Sequence, residues 1–130
     1  MNEVFEFLKR CSVYYLATMD GDQPRVRPFG TIDIFEDKLY IQTGKVKNVS
    51  KQMQANPKVE ICAFDGREWL RIEAIAVRDE NIAAKEHLLD AYPDLKSMYD
   101  PADENTEVLY LKDATATFAS FTAEPKVITW

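Results

Sequence analysis

Short runs of β-branched and aromatic residues, each closed by turn-forming residues, recur along this chain and exclude most folds at the outset. SVYYLATM (12–19) leads into DGDQP (20–24), where Gly21 supplies positive φ and the acids favour a tight turn. RVRPFGTIDIF (25–35) reads as a second strand, forming a hairpin with the first. Pro28 cannot donate to a ladder, so this stretch belongs at an edge or an irregularity. Glu36-Asp37 turns the chain into a strand at KLYIQT (38–43). KVEICAF (58–64), DGR (65–67) and EWLRIEAIAV (68–77) make a second hairpin. EVLYLKDATATFASF (107–121) gives one long or bent strand, and KVIT (126–129) a last short one.

Three segments carry helical spacing instead. Residues 2–11 place Val4, Phe5, Leu8 and Cys11 on one face. Residues 46–55 do the same with Val46, Val49 and Met53 and stop before Asn56-Pro57. Residues 80–91 follow Asp79 as N-cap and precede Pro93; 94–99 add a helical turn and 101–106 a polar loop. Six or seven mostly antiparallel strands with three helices predict a small α+β barrel. A doubly wound sheet needs a regular alternation of strand and helix that is missing. With 130 residues the expectation is one domain spanning 1–130. No apolar run is long enough to span a membrane, and MNEVFEFLKR lacks a signal peptide's apolar stretch. Cys11 and Cys62 lack metal-ligand spacing and sit in apolar contexts, so both are expected to be inert core thiols in a cytoplasmic protein.

Charge is distributed unevenly. The net charge of -6 argues against a nucleic-acid partner. Yet between Lys38 and Val59 there are Lys38, Lys45, Lys47, Lys51 and Lys58 and no Asp or Glu, whereas Asp79 to Glu107 is strongly acidic. An acidic chain that keeps one segment purely basic is suited to holding a small anion there. The segment TGKVKNVSK (43–51) passes from a strand end into a helix start, where amides and the helix dipole favour phosphate. Thr43 and Asn48 can add hydrogen bonds, and Lys45, Lys47 and Lys51 charge. The bland alternative is a solvated lysine-rich helix face.

Arg25 and Arg27, two apart on a strand, share a face and need either acids or a ligand phosphate. Pro28-Phe29-Gly30 follows, and Gly30 lets a ligand approach the backbone. Trp69 and Arg71 share another strand face, opposite Leu70 and Ile72, where Trp69 can pack or cover an aromatic ligand. The single His, His87, is expected to face solvent, and one His excludes a His-rich metal site or a Ser-His-Asp triad. Neither GxGxxG nor GxxxxGK[ST] occurs. An anion-seeking patch beside aromatic strands suits a cofactor that brings its own reactive atoms.

QPRVRPFG (23–30), LYIQTGKVKNV (39–49), NPKVEI (56–61) and DGREWLRI (65–72), in this order, resemble the pyridoxamine 5'-phosphate oxidase-related proteins. The resemblance implies a mainly β, six- to seven-stranded antiparallel FMN-binding split barrel. It also implies a homodimer with FMN and a small-molecule substrate at the interface. By the same resemblance, Arg27, Pro28, Phe29 and Gly30 would line the flavin, with Arg25 beside them, and Gln42 and Thr43 would meet the ring edge or ribityl chain. Lys45, Lys47, Asn48 and Lys51 would hold the phosphate, and Trp69 would stand against the partner's flavin. The longer oxidases finish with an Arg-x-His segment that Ile128-Thr129-Trp130 does not match, implying a substrate other than pyridoxamine phosphate. The nitroimidazole-reductase branch is similar in length, but its active-site His has no counterpart, since His87 lies in another element. The expected function is an FMN-dependent oxidoreductase. The alternative is a non-catalytic flavin- or deazaflavin-binding module for sensing, storage or electron relay.

Overall fold

Alternating burial along KVEICAF shows how the barrel is built: Val59, Ile61 and Ala63 point inward while Lys58, Glu60, Cys62 and Phe64 point out. The computed structural model describes residues 1–130. It contains, in chain order, α1 (Asn2–Cys11), β1 (Tyr14–Asp20), β2 (Gln23–Phe29), β3 (Asp33–Phe35), β4 (Lys38–Gly44), α2 (Asn48–Ala55), β5 (Lys58–Phe64) and β6 (Trp69–Asp79). Then come α3 (Ile82–Ala91), a 3-10 turn (Pro93–Ser97), β7 (Thr106–Ala119) and β8 (Lys126–Thr129). All eight strands join one antiparallel sheet in the order β2-β1-β5-β6-β7-β4-β3, with β8 added to β7. No helix is long and apolar enough to cross a membrane.

The expected strand at 25–35 is two strands. Gly30–Ile32 breaks the ladder, so β2 pairs with β1 at one edge of the sheet while β3 pairs with β4 at the other. Three hydroxyls hold this crossing segment. Tyr14 Oη donates to Thr31 O at 2.6 Å, and Tyr92 Oη accepts from Ile32 N at 3.0 Å and donates to Ile32 O at 3.1 Å. Thr31 Oγ1 accepts from Gln42 N at 3.2 Å. The break raises the strand count to eight, above the six or seven expected. Pro28 sits on the edge strand, as its missing N–H requires.

Strand β7 is bent. Its pairing with β6 shifts register between Glu73 and Ile75, beside Asp113 at φ 51. Leu109 and Leu111 face the core before the shift, and Ala114, Ala116 and Phe118 after it. One extra residue thus reverses the parity of the strand, as a β-bulge must. Trp130 braces the bulge: its backbone exchanges hydrogen bonds with Ala114, and its Nε1 donates to Leu111 O at 3.2 Å.

Helix α1 plugs the barrel with Val4, Phe7 and Leu8, Phe7 meeting Phe118 edge-on at 5.4 Å. The expected face had Phe5 in place of Phe7; Phe5 is only half-buried at the rim. Helix α3 covers the other side of β4 and β7, over Tyr40 and Val108. Those strands are therefore buried on both faces, which explains the unbroken burial of Leu39–Gly44. The cap of α3 is Asn81, whose side chain accepts from Ala83 N, and not Asp79, which instead accepts from Tyr40 Oη at 2.7 Å.

Cys62 corrects another expectation. It lies on the outer sheet face, exposed, across from Tyr15 and Arg71, while Cys11 is half-buried with its thiol pKa raised by burial and by Asp65. His87 is half-exposed, but its Nδ1 lies 2.6 Å from Asp33 Oδ2 and its ring packs against Phe35, so it ties α3 to β3. Phe7→Ala should remove about 3 to 5 kcal/mol of stability, because a plug 2% exposed leaves a cavity the sheet cannot close. Urea unfolding monitored by circular dichroism measures this.

Candidate functional site

Where the crossing segment leaves β2, it forms one side of a cleft of about 630 Å³. Arg27, Pro28, Phe29, Gly30 and Thr31 line it from that side, and Gln42, Thr43, Lys47 and Val49 from the end of β4 and the start of α2. The opposite wall was not anticipated. It comes from the end of α3 and the 3-10 turn: Ala91, Tyr92, Pro93, Asp94, Leu95, Met98 and Tyr99. Tyr92, Leu95, Met98 and Tyr99, at helical spacing after the end of α3, were the available signal.

Helix α2 presents its N-terminus to this cleft. Lys47 is the N-cap residue, no side chain caps the first turn, and no acid lies in it. Its first amides and dipole are thus left for an anion, with the Lys47 ammonium adjoining.

The other expected phosphate lysines are placed differently. Lys45 Nζ binds Glu80 at 3.0 Å, and Glu80 also meets the buried Lys85 at 3.3 Å. The hydrogen bond from Lys45 is the main cause holding the Glu80 carboxyl below its ordinary pKa. Asn48 and Lys51 line a separate hollow with Asp20 and Gly21 on the far side of α2. Arg25 points away to Asp20 at 3.3 Å. Trp69 lies on the outer sheet face, edge-on to Phe121 at 5.2 Å, and does not line the cleft of its own chain.

Arg27 is a pillar of the wall. Its Nη1 donates to Leu16 O at 3.1 Å and Thr18 Oγ1 at 2.7 Å, and its Nη2 to Gln52 Oε1 at 2.6 Å. Burial, helped by Arg25, lowers its pKa. Gln52 thereby joins β2 to α2, a role the sequence did not signal. A second hollow, about 480 Å³, surrounds the bulge on the sheet's outer face. Glu60, Glu73 and Asp113 oppose Lys58 alone there, the wrong sign for a phosphate.

Gly44 packs against the cleft's far wall: a Cβ there would stand 3.0 Å from Asn105 Nδ2 and 3.1 Å from Tyr99 Oη. The loop behind Tyr99 is organised by Asp103, which accepts from Asp100 N, Asn105 N and Thr106 N. Burial opposes its ionisation, yet these amides hold its carboxyl at about 2.

The pyridoxamine 5'-phosphate oxidase family model matches residues 1–116, nearly the whole barrel. The chain belongs to that family. Among solved structures, a NimC/NimA family protein from Clostridium acetobutylicum is 43% identical, with a TM-score of 0.96 over 100% of this chain and 92% of that one. General Stress Protein 26 from Bacillus anthracis shares the fold at 16% identity and a TM-score of 0.79, covering 99% and 97%. So does a pyridoxamine 5'-phosphate oxidase-related, FMN-binding protein from Nostoc punctiforme, at 16% identity and 0.65, covering 99% and 93%. No curated protein matches significantly. The α+β antiparallel fold is thus the family's FMN-binding split barrel, as the sequence motifs implied.

Two consequences follow for the cleft. Gly44→Ala should displace Tyr99 and cost about 1 to 3 kcal/mol, seen as a lower urea midpoint with an unchanged slope. Asp103 has a folded pKa below its ordinary 3.8, so its stabilisation is complete above that value and is lost as pH falls through about 2. Asp103→Ala should therefore speed amide hydrogen exchange at Asn105 and Thr106 at neutral pH, and the variant and wild type should converge in strong acid.

Proposed function

We propose that this chain is an FMN-dependent oxidoreductase that acts on a small organic substrate in the cleft, as a homodimer. The observation that carries the reading is the first turn of α2, uncapped and free of acid, opening beside Lys47 onto a cleft in a chain of an FMN-binding family. The donor set fits the cofactor. Lys47 and the first-turn amides would hold the phosphate, and Gln42 and Thr43 supply polar groups between that end and the apolar wall. Gly30 adds no side chain where a flat ring must approach, and Tyr92, Leu95 and Met98 would exclude water from it.

Bound FMN supplies the electron chemistry, which no side chain here provides. The cationic side chains on this wall, Arg27 and Lys47, favour negative charge within the cleft. Arg27 keeps the wall in place through Thr18 and Gln52.

The outer sheet face supports the dimer. Tyr15, Val26, Phe64, Phe121 and Val127 are each more than half exposed on it, beside Trp69 and Cys62. So much unpartnered apolar surface fits a second copy. That assembly would be the route by which Trp69 meets a cofactor held by the other chain.

Lys47→Ala should weaken FMN binding by about 1.5 to 3 kcal/mol, the size of a charge-assisted contact, as read by flavin fluorescence titration. Lys45→Ala should weaken it less, since Glu80 already engages that ammonium. Equal losses would move the phosphate toward Lys45. Reduction of the bound flavin by NADH or NADPH on a catalytic timescale tests the oxidoreductase role; a flavin that stays oxidised favours a carrier or sensor. Sedimentation should give a dimer, and Phe64→Glu a monomer.

A further inference from the structure

Beneath α2 lies a polar cluster that the cofactor contacts do not use. Glu107, at the start of β7, is wholly buried. Its Oε2 accepts from Nε of Arg78, near the end of β6, and its Oε1 has no partner in the protein. The same guanidinium reaches up to the helix. Its Nη2 donates to Ser50 Oγ at 3.3 Å, and the Gln54 amide, with its oxygen turned toward Arg78, accepts from Nη2 and Nε at 3.3 Å. Glu107 is also directly across the ladder from Thr43, which lines the cleft.

An ion pair whose carboxylate is wholly buried and whose guanidinium is 29% exposed adds little net stability, since apolar residues of the same size pack as well. What it supplies is geometry. Glu107 fixes the planar guanidinium on the sheet, and the guanidinium grips successive turns of α2. That helix is eight residues long, too short to hold itself, and it anchors apolar groups only through Val49 and Met53. Val49 and Met53 set its distance from the barrel, Gln52 ties one flank to Arg27 and Thr18, and Arg78 holds another flank through Ser50 and Gln54. Ser50 lies three residues past the N-cap, so the clamp acts on the turn that faces the cleft.

We propose that Arg78 and Glu107 are positioning residues. They orient the N-terminal turn of α2 and so set the affinity of the cleft for the phosphate of its cofactor. This rests on the FMN reading above. The test compares FMN with riboflavin, which has the same ring and no phosphate, by fluorescence titration of wild type and two double variants. Arg78→Met with Glu107→Leu removes the pair at constant net charge. Ser50→Ala with Gln54→Ala releases the helix from Arg78, leaves its Gln52 contacts and the Arg78–Glu107 pair intact, and covers the case in which the first variant does not fold.

In both, FMN affinity should fall by roughly tenfold relative to riboflavin, equivalent to about 1.4 kcal/mol. Arg78→Lys, which keeps the charge but not the fork, should recover only part of it. Equal losses for both flavins, or no loss for either in the Ser50/Gln54 variant, overturn the positioning role alone. Wild type that retains neither flavin overturns the cofactor reading and this proposal together.

Discussion

The parity reversal in β7 is the constraint on which the rest of the molecule depends. This strand pairs with β6, β4 and β8, so it belongs to both halves of the barrel. An unbroken strand would present one alternating set of side chains to one surface throughout. The extra residue at the bulge lets Leu109 and Leu111 face inward in the first half and Ala114, Ala116 and Phe118 in the second. Glu107 shares the parity of Leu109 and Leu111, which places it inward beneath α2 and opposite Thr43.

Electrostatics in the cleft come from sorting rather than accumulation. The basic segment delivers its lysines to three places: Lys45 to Glu80, Lys47 to the cleft, and Lys51 to the far side of α2. Only Lys47 adjoins both the cleft and the open first turn. Arg27 stiffens the wall through its bonds to Leu16, Thr18 and Gln52, and the three carboxylates around the bulge keep the second hollow unattractive to anions. The charge asymmetry in the sequence singled out the segment that supplies Lys47 to the cleft, but a count of lysines does not distinguish one that is free from one that is paired.

Legibility followed the range of the interaction. The hairpin at 58–77, the edge placement of Pro28, the bend in 107–121 and the stop of α2 before Asn56-Pro57 all rest on local rules of pleat and turn, and all were readable. The break at Gly30–Ile32 was not, because the hydroxyls that hold it belong to Tyr14 and Tyr92, distant in sequence. Cys62 sits in an apolar run yet faces out, since alternation assigns it to the outer face. Asn81 and not Asp79 caps α3 because Tyr40 already engages the aspartate.

By itself the sequence determined every strand but the divided one at 25–35, the hairpins, the family and the basic segment from which an anion site could be made. These depend on periodicities of two and 3.6 residues, on turn chemistry and on net charge, which are properties of neighbours along the chain. Only the tertiary structure decided which of the lysines adjoins the cleft, which residues of α3 and the 3-10 turn face it, and how Arg78, bound by Glu107, reaches α2. A side chain's electrostatic role depends on what lies within a few ångströms of its tip, and in a closed sheet those neighbours come from strands far apart in sequence.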